Sequence, residues 1–85
     1  MKVRVYNLDP PEKQHIRIHI GRKPMARIWT NNLQWIRRCD ALAKGDPRVC
    51  SIEYKDEEGR VVAIEYEIPK ENIEIIIPEP ERRSV

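Results

Sequence analysis

Hydrophobic residues recur along the chain with two different periods, and the switch from one to the other falls at Thr30. Before that point every second position is apolar. Val3 and Val5 oppose Lys2, Arg4 and Tyr6 over residues 2–7, as in a strand that turns one face inward. The run "NLDPPEK" then interrupts the pattern, because proline has no amide hydrogen and adjacent prolines favour an extended loop. In "HIRIHI", Ile16, Ile18 and Ile20 alternate with His15, Arg17 and His19. After the turn residues Gly21 to Pro24, Ala26 and Ile28 alternate with Met25, Arg27 and Trp29. These two runs predict a hairpin whose tip, Arg22 and Lys23, is cationic.

From Thr30 the period becomes helical. Trp35, Ile36, Cys39, Leu42 and Ala43 follow the i, i+1, i+4, i+7, i+8 spacing of an amphipathic helix, with Arg37, Arg38, Asp40 and Lys44 left to solvent. Thr30 or Asn31 is expected to cap its start, and Gly45 followed by Asp46-Pro47 to stop it. A second hairpin is predicted over residues 49–69, around an acidic turn in which Gly59 takes positive φ. Cys50, Ile52 and Tyr54 point to one face and Ser51 and Glu53 to the other; on the return run Val62, Ile64, Tyr66 and Ile68 oppose Val61, Ala63, Glu65 and Glu67. "NIEIIIP" reads as a last strand, followed by a flexible tail at 79–85.

The order β-β-β-α-β-β-β predicts a single α+β domain over residues 1–78: an antiparallel sheet of five to six strands with one amphipathic helix on one face. One helix covers only that face. The other, drawn from His15, Arg17, His19, Met25, Arg27, Trp29, Val61, Ala63 and Glu65, must meet solvent or a partner.

At 85 residues the chain suffices for one core, which without phenylalanine is built from Ile, Val, Leu, two Trp and three Tyr. Charge is unevenly distributed. Residues 1–48 hold eleven Lys or Arg against four Asp or Glu, a surplus of seven, whereas residues 49–85 hold five against ten, a deficit of five. No apolar run has the length of a membrane span and the N-terminal residues lack a signal-peptide pattern, so a cytoplasmic protein is expected. Cys39 and Cys50 have neither CxxC spacing nor neighbouring His; they read as small buried apolar residues rather than zinc ligands or a disulfide.

Candidate chemistry is sparse. His15 and His19 would be metal ligands on a helix, but on a strand they share a face about 13 Å apart, too far for one ion. Aliphatic hydroxyls are limited to Thr30, Ser51 and Ser84, and three glycines leave no room for a phosphate loop or nucleotide fingerprint. Glu53, Glu65 and Glu67 are explained by cross-strand charge pairing more simply than by acid–base catalysis. A non-enzymatic binding module without cofactor or metal is therefore expected.

Its contact surface is assigned to Arg17, His19, Arg22, Lys23, Arg27 and Trp29, and a protein partner is the favoured ligand. The alternative is nucleic acid or a nucleotide, since guanidinium groups bind phosphate bidentately and Trp stacks on bases. Ile73, Ile75, Ile76 and Ile77 are assigned to a homodimer interface, with completion of the monomer's own core as the competing use.

The element order, with "WTNNLQWIRRCDALA" between a hairpin and the distal "YEIPKENIEI", resembles small proteins encoded by phages and prophages of Gram-positive bacteria. Thr30, Trp35, Leu42, Tyr66, Pro69 and Lys70 are structural residues in that comparison. The resemblance implies an accessory or host-interacting protein and transfers no catalytic or ligand residue.

Overall fold

Strict alternation of isoleucine with polar residues, followed by a helical period, yields the elements expected of it. In a computed structural model, which describes residues 4–22 and 24–73, strands β1 (Ile16–Ile20) and β2 (Met25–Thr30) form the first hairpin and helix α1 (Leu33–Gly45) follows. Strands β3 (Cys50–Lys55) and β4 (Val61–Pro69) form the second hairpin, and short 3-10 turns span Pro11–Lys13 and Lys70–Asn72. The architecture is α+β, with an antiparallel sheet in the order β1-β2-β4-β3. Since β2 and β3 both run antiparallel to β4, they are parallel to each other, and α1 carries the chain across the gap that β4 fills.

Among the described residues the sheet has four strands rather than five or six. Residues 4–7 contribute only an isolated parallel bridge between Tyr6 and Val61, with Val5 O accepting from Val61 N at 2.7 Å and Asn7 N donating to Val61 O at 2.8 Å. Beyond that contact Pro10 and Pro11 lack the amide hydrogens with which a ladder would continue. Of the expected last strand only Ile73 is described, and it follows a helical turn; residues 75–77 and the 79–85 tail lie outside the described residues.

The cap of helix α1 falls one or two residues later than expected. Asn32, not Thr30 or Asn31, accepts the Trp35 amide at 3.2 Å. The earlier two side chains are engaged elsewhere: Thr30 Oγ1 donates to His15 O at 2.9 Å and accepts Asn32 N at 3.0 Å, and Asn31 binds the 9–15 loop. At the other hairpin Gly59 adopts φ 81°, as the turn requires. Asp56 organises that turn, its Oδ1 accepting the amides of Glu58 and Arg60, each at 2.9 Å.

Ile36 and Cys39 of α1 pack on Ala26 and Ile28 of β2 and on Ile64, Tyr66 and Ile68 of β4, with Val61 and Ile73 completing the core. A helix is about 10 Å wide and strands lie about 4.8 Å apart, so α1 covers the two central strands and leaves the edges. Ile18 and Ile20 of β1 accordingly stay 36% and 53% exposed although they face the helix side. An irregularity in the β3–β4 ladder pairs Tyr54 with Ala63 but Lys55 with Val61, so Val62 is the extra residue. That single insertion reverses the parity of β4, and Val61, expected on the uncovered face, is instead buried in the core cluster.

Candidate functional site

Cross-strand register assembles the face opposite α1 row by row. His19 lies opposite Arg27 and Arg27 opposite Glu67; Arg17 lies opposite Trp29 and Trp29 opposite Glu65. On the far side Cys50 pairs with Glu67, Ile52 with Glu65 and Tyr54 with Ala63. The outer face thus carries a cationic pair of strands, β1 and β2, an acidic strand, β4, and an apolar edge, β3. The charge division of the sequence becomes a boundary between β2 and β4.

Trp29 is the best-supported side chain of this face. The Arg17 guanidinium sits 4.8 Å from its ring centroid, and the His15 ring approaches to 4.8 Å at an interplanar angle of 33°. His15 is fixed in turn, its amide donating to Asn31 Oδ1 at 2.8 Å and its carbonyl accepting from Thr30 Oγ1. The indole is therefore held by contacts within the chain. Arg27 reaches Glu67 at 3.8 Å across the ladder, an exposed and loose pair. Tyr54 Oη donates to Glu65 at 3.2 Å, and the Glu65 charge raises the phenol's pKa. Beside them Ile52 is 58% exposed.

The expected contact residues Arg17, His19, Arg27 and Trp29 are brought onto this one face. Arg22 is exposed in the hairpin turn, and Lys23 lies outside the described residues. Ile73, assigned from sequence to an interface, is only 2% exposed and belongs to the core of its own chain. Cys50 is exposed, contrary to expectation, because β3 is an edge strand whose Cys50, Ile52 and Tyr54 face away from the helix; Cys39 is buried as expected. Burial and the neighbouring Asp40 charge push the Cys39 thiol up to about 12.

A polar network on the helix side was not legible from sequence. Asp40 of α1 accepts the Tyr66 hydroxyl at 2.7 Å and Arg4 Nη1 at 2.7 Å, while Arg4 Nε reaches Glu53 of β3 at 2.9 Å. Arg4 Nη1 also donates to Tyr6 Oη at 3.0 Å. This network joins the N-terminal segment, the helix and both strands of the second hairpin. Burial, reinforced by Asp40, raises the Tyr66 pKa well above the usual phenol range, so the hydroxyl stays a donor.

Among the described residues no group of three or more His, Cys, Asp or Glu converges as a metal site, and no helix is long and apolar enough to cross a membrane. No protein-family model, no curated protein and no solved structure matches the chain.

Proposed function

We propose that the chain is a non-enzymatic binding module that docks a protein through the outer face of its sheet. The observation that carries this reading is Trp29, held by Arg17 and His15 and flanked across the sheet by exposed Ile52 and Tyr54. Trp, Tyr and Arg dominate the energetics of protein interfaces, and a pre-ordered aromatic loses little entropy on binding. Charge favours protein over nucleic acid, because Arg17 and Arg27 are matched on the same face by Glu65 and Glu67. A phosphate backbone would meet two cations and two carboxylates.

The same stripes are self-complementary, which supports a second copy as the partner. A two-fold axis parallel to the strands and lying between β2 and β4 sets Arg27 against Glu67 of the other copy and Arg17 beside its Ile52. Four strands about six residues long present roughly 19 by 20 Å of flat face, about 400 Å², by strand spacing and rise. That is half the ~800 Å² per partner of a standard interface, so the dimer is of the weak, concentration-dependent class. A small accessory protein of the phage or prophage kind would fit such a role.

Light scattering after size exclusion, over a dilution series, tests the dimer. Mass should rise toward twice the monomer at high concentration. Arg17→Glu with Arg27→Glu should hold it at monomer while leaving Tm nearly unchanged, since both side chains are exposed. Unfolding of the double variant, or no change in mass, would remove these residues from the contact surface. A salt titration with labelled single- and double-stranded oligonucleotides decides the alternative: tight binding that weakens steeply with salt would replace protein by nucleic acid.

A further inference from the structure

On the opposite side of the sheet, where α1 stops short of the edge strand, a cleft of about 910 Å³ opens between the helix and β3. Arg37, Asp40, Ala41 and Lys44 form one wall, at the i, i+3, i+4, i+7 spacing of a single helix face. Glu53 and Lys55 of β3 and the turn at Glu58 to Arg60 form the other, and Arg4 and Val5 line it from the N-terminal segment.

Its charges do not balance. Five lining cations, Arg4, Arg37, Lys44, Lys55 and Arg60, face three carboxylates, and each carboxylate is already engaged. Asp40 holds Arg4 and Tyr66, Glu53 holds Arg4 and lies 3.6 Å from Lys55, and Glu58 holds Arg60 at 3.0 Å. Among the described residues Arg37 and Lys44 have no such partner; both are exposed and stand two helical turns, about 10 Å, apart. The field left for a ligand is positive. Val5, 54% exposed, and exposed Ala41 add apolar surface.

We propose that this cleft binds an extended acidic peptide, which lies along β3 as an added strand. A peptide is favoured over a simple anion because β3 is an edge: among the described residues it pairs with β4 alone, and no described strand takes the backbone groups on its other side. A strand added there directs alternate side chains, about 7 Å apart, to the helix side. Acidic residues at those positions meet Arg37, Lys44 and Lys55, while the intervening side chains emerge beside Ile52 and Tyr54 on the outer face. The cations that carry the inference, Arg37, Lys44 and Lys55, are not those of the outer-face docking reading, and the inference does not rest on that reading.

The probe is a fluorescein-labelled peptide of alternating Glu and Val with blocked termini, titrated with the full chain by anisotropy. Its Glu→Gln counterpart, inorganic phosphate and a short oligonucleotide serve as competitors. Binding at low salt should exceed that of the Gln peptide at least tenfold and fall by about tenfold or more in Arg37→Glu with Lys44→Glu. Arg17→Glu, on the other face, should bind as the parent does. Amide exchange of Cys50 to Lys55 should slow when the peptide is bound. Equal binding by the Arg37/Lys44 variant, or displacement by phosphate without protection of β3 amides, overturns the proposal. So does tighter binding of the oligonucleotide through the same two residues.

Discussion

The carboxylate of Asp40 lies 2.7 Å from the hydroxyl of Tyr66, so the centre of the sheet is tied to the helix by a charge-assisted hydrogen bond beneath a salt bridge to Arg4. The hydroxyl is buried and the carboxylate only partly so, which makes the bond worth more than a surface contact. Tyr66→Phe is expected to cost about 1–2 kcal/mol in denaturant unfolding. Asp40→Ala should cost more, since it takes the shortest bond from both Arg4 and the Tyr66 hydroxyl, leaving Arg4 to Glu53 at 2.9 Å and the hydroxyl to Ile36 O at 3.3 Å. In the double variant the two losses should fall short of their sum, because each removes the same bond. Strict additivity would mean that the 2.7 Å contact contributes nothing.

Thiol chemistry should separate the two cysteines completely. Cys39 is buried under the helix with its pKa pushed up to about 12, while Cys50 is exposed on the edge strand. Reaction needs both access and thiolate. An aromatic disulfide reagent at neutral pH should therefore modify one thiol per chain rapidly and the second only on unfolding. Cys50→Ser should abolish the fast phase and Cys39→Ser should leave it unchanged. Rapid modification of two thiols would show that the helix does not hold its place over β2 and β4.

What the sequence made legible was local. The period of two in "HIRIHI" and "MARIW", the helical spacing from Trp35 to Ala43 and the turn at Gly59 all lie within a few residues of one another, and each became the expected element. What it hid depended on distance or on a single-residue slip. Arg4 meets partners 36 and 49 residues away, which no periodicity encodes. The helix cap moved to Asn32 because a loop far upstream claims Thr30 and Asn31. One extra residue, Val62, turned Val61 inward. The spacing of the carboxylates suggests cross-strand pairs, but which cation each one meets is set by the register, which places Glu67 opposite Arg27.

Acid should weaken the fold through two aspartates. Asp46 is held down to about 2, chiefly by the Arg48 side chain and amide, with Asn72 adding a bond at 2.9 Å. Burial works against ionisation of Asp56, yet the Arg60 amide, the Asn7 side chain and the Glu58 amide overcome it and bring it also to about 2. A carboxyl whose folded pKa lies below its unfolded value of about 3.9 binds fewer protons when folded. Its contribution is therefore complete above about pH 4 and is lost as pH falls toward 2. Tm should be level between neutrality and pH 5 and drop below pH 4. Asp46→Asn combined with Asp56→Asn should lower the neutral Tm and flatten the acid limb. An unchanged acid slope in that variant would assign acid sensitivity to other carboxyls.

Asn31 links the fold to the outer face, and its removal should disturb both. It is 2% exposed, with Oδ1 accepting the His15 amide at 2.8 Å and Nδ2 directed to Asp9 at 3.3 Å and Lys13 O at 3.4 Å. A buried amide that satisfies backbone groups of a loop cannot be truncated without leaving them unpaired. Asn31→Ala is expected to destabilise the chain by about 1–3 kcal/mol. The loosened loop should release His15 from the Trp29 ring, so the indole emission should change under native conditions, well below the unfolding midpoint. The control is Trp29→Phe, which removes that emission and isolates Trp35. Equal destabilisation without a spectral change would mean that Arg17 alone orders Trp29, and the docking surface would then depend on β1 and β2 rather than on the loop.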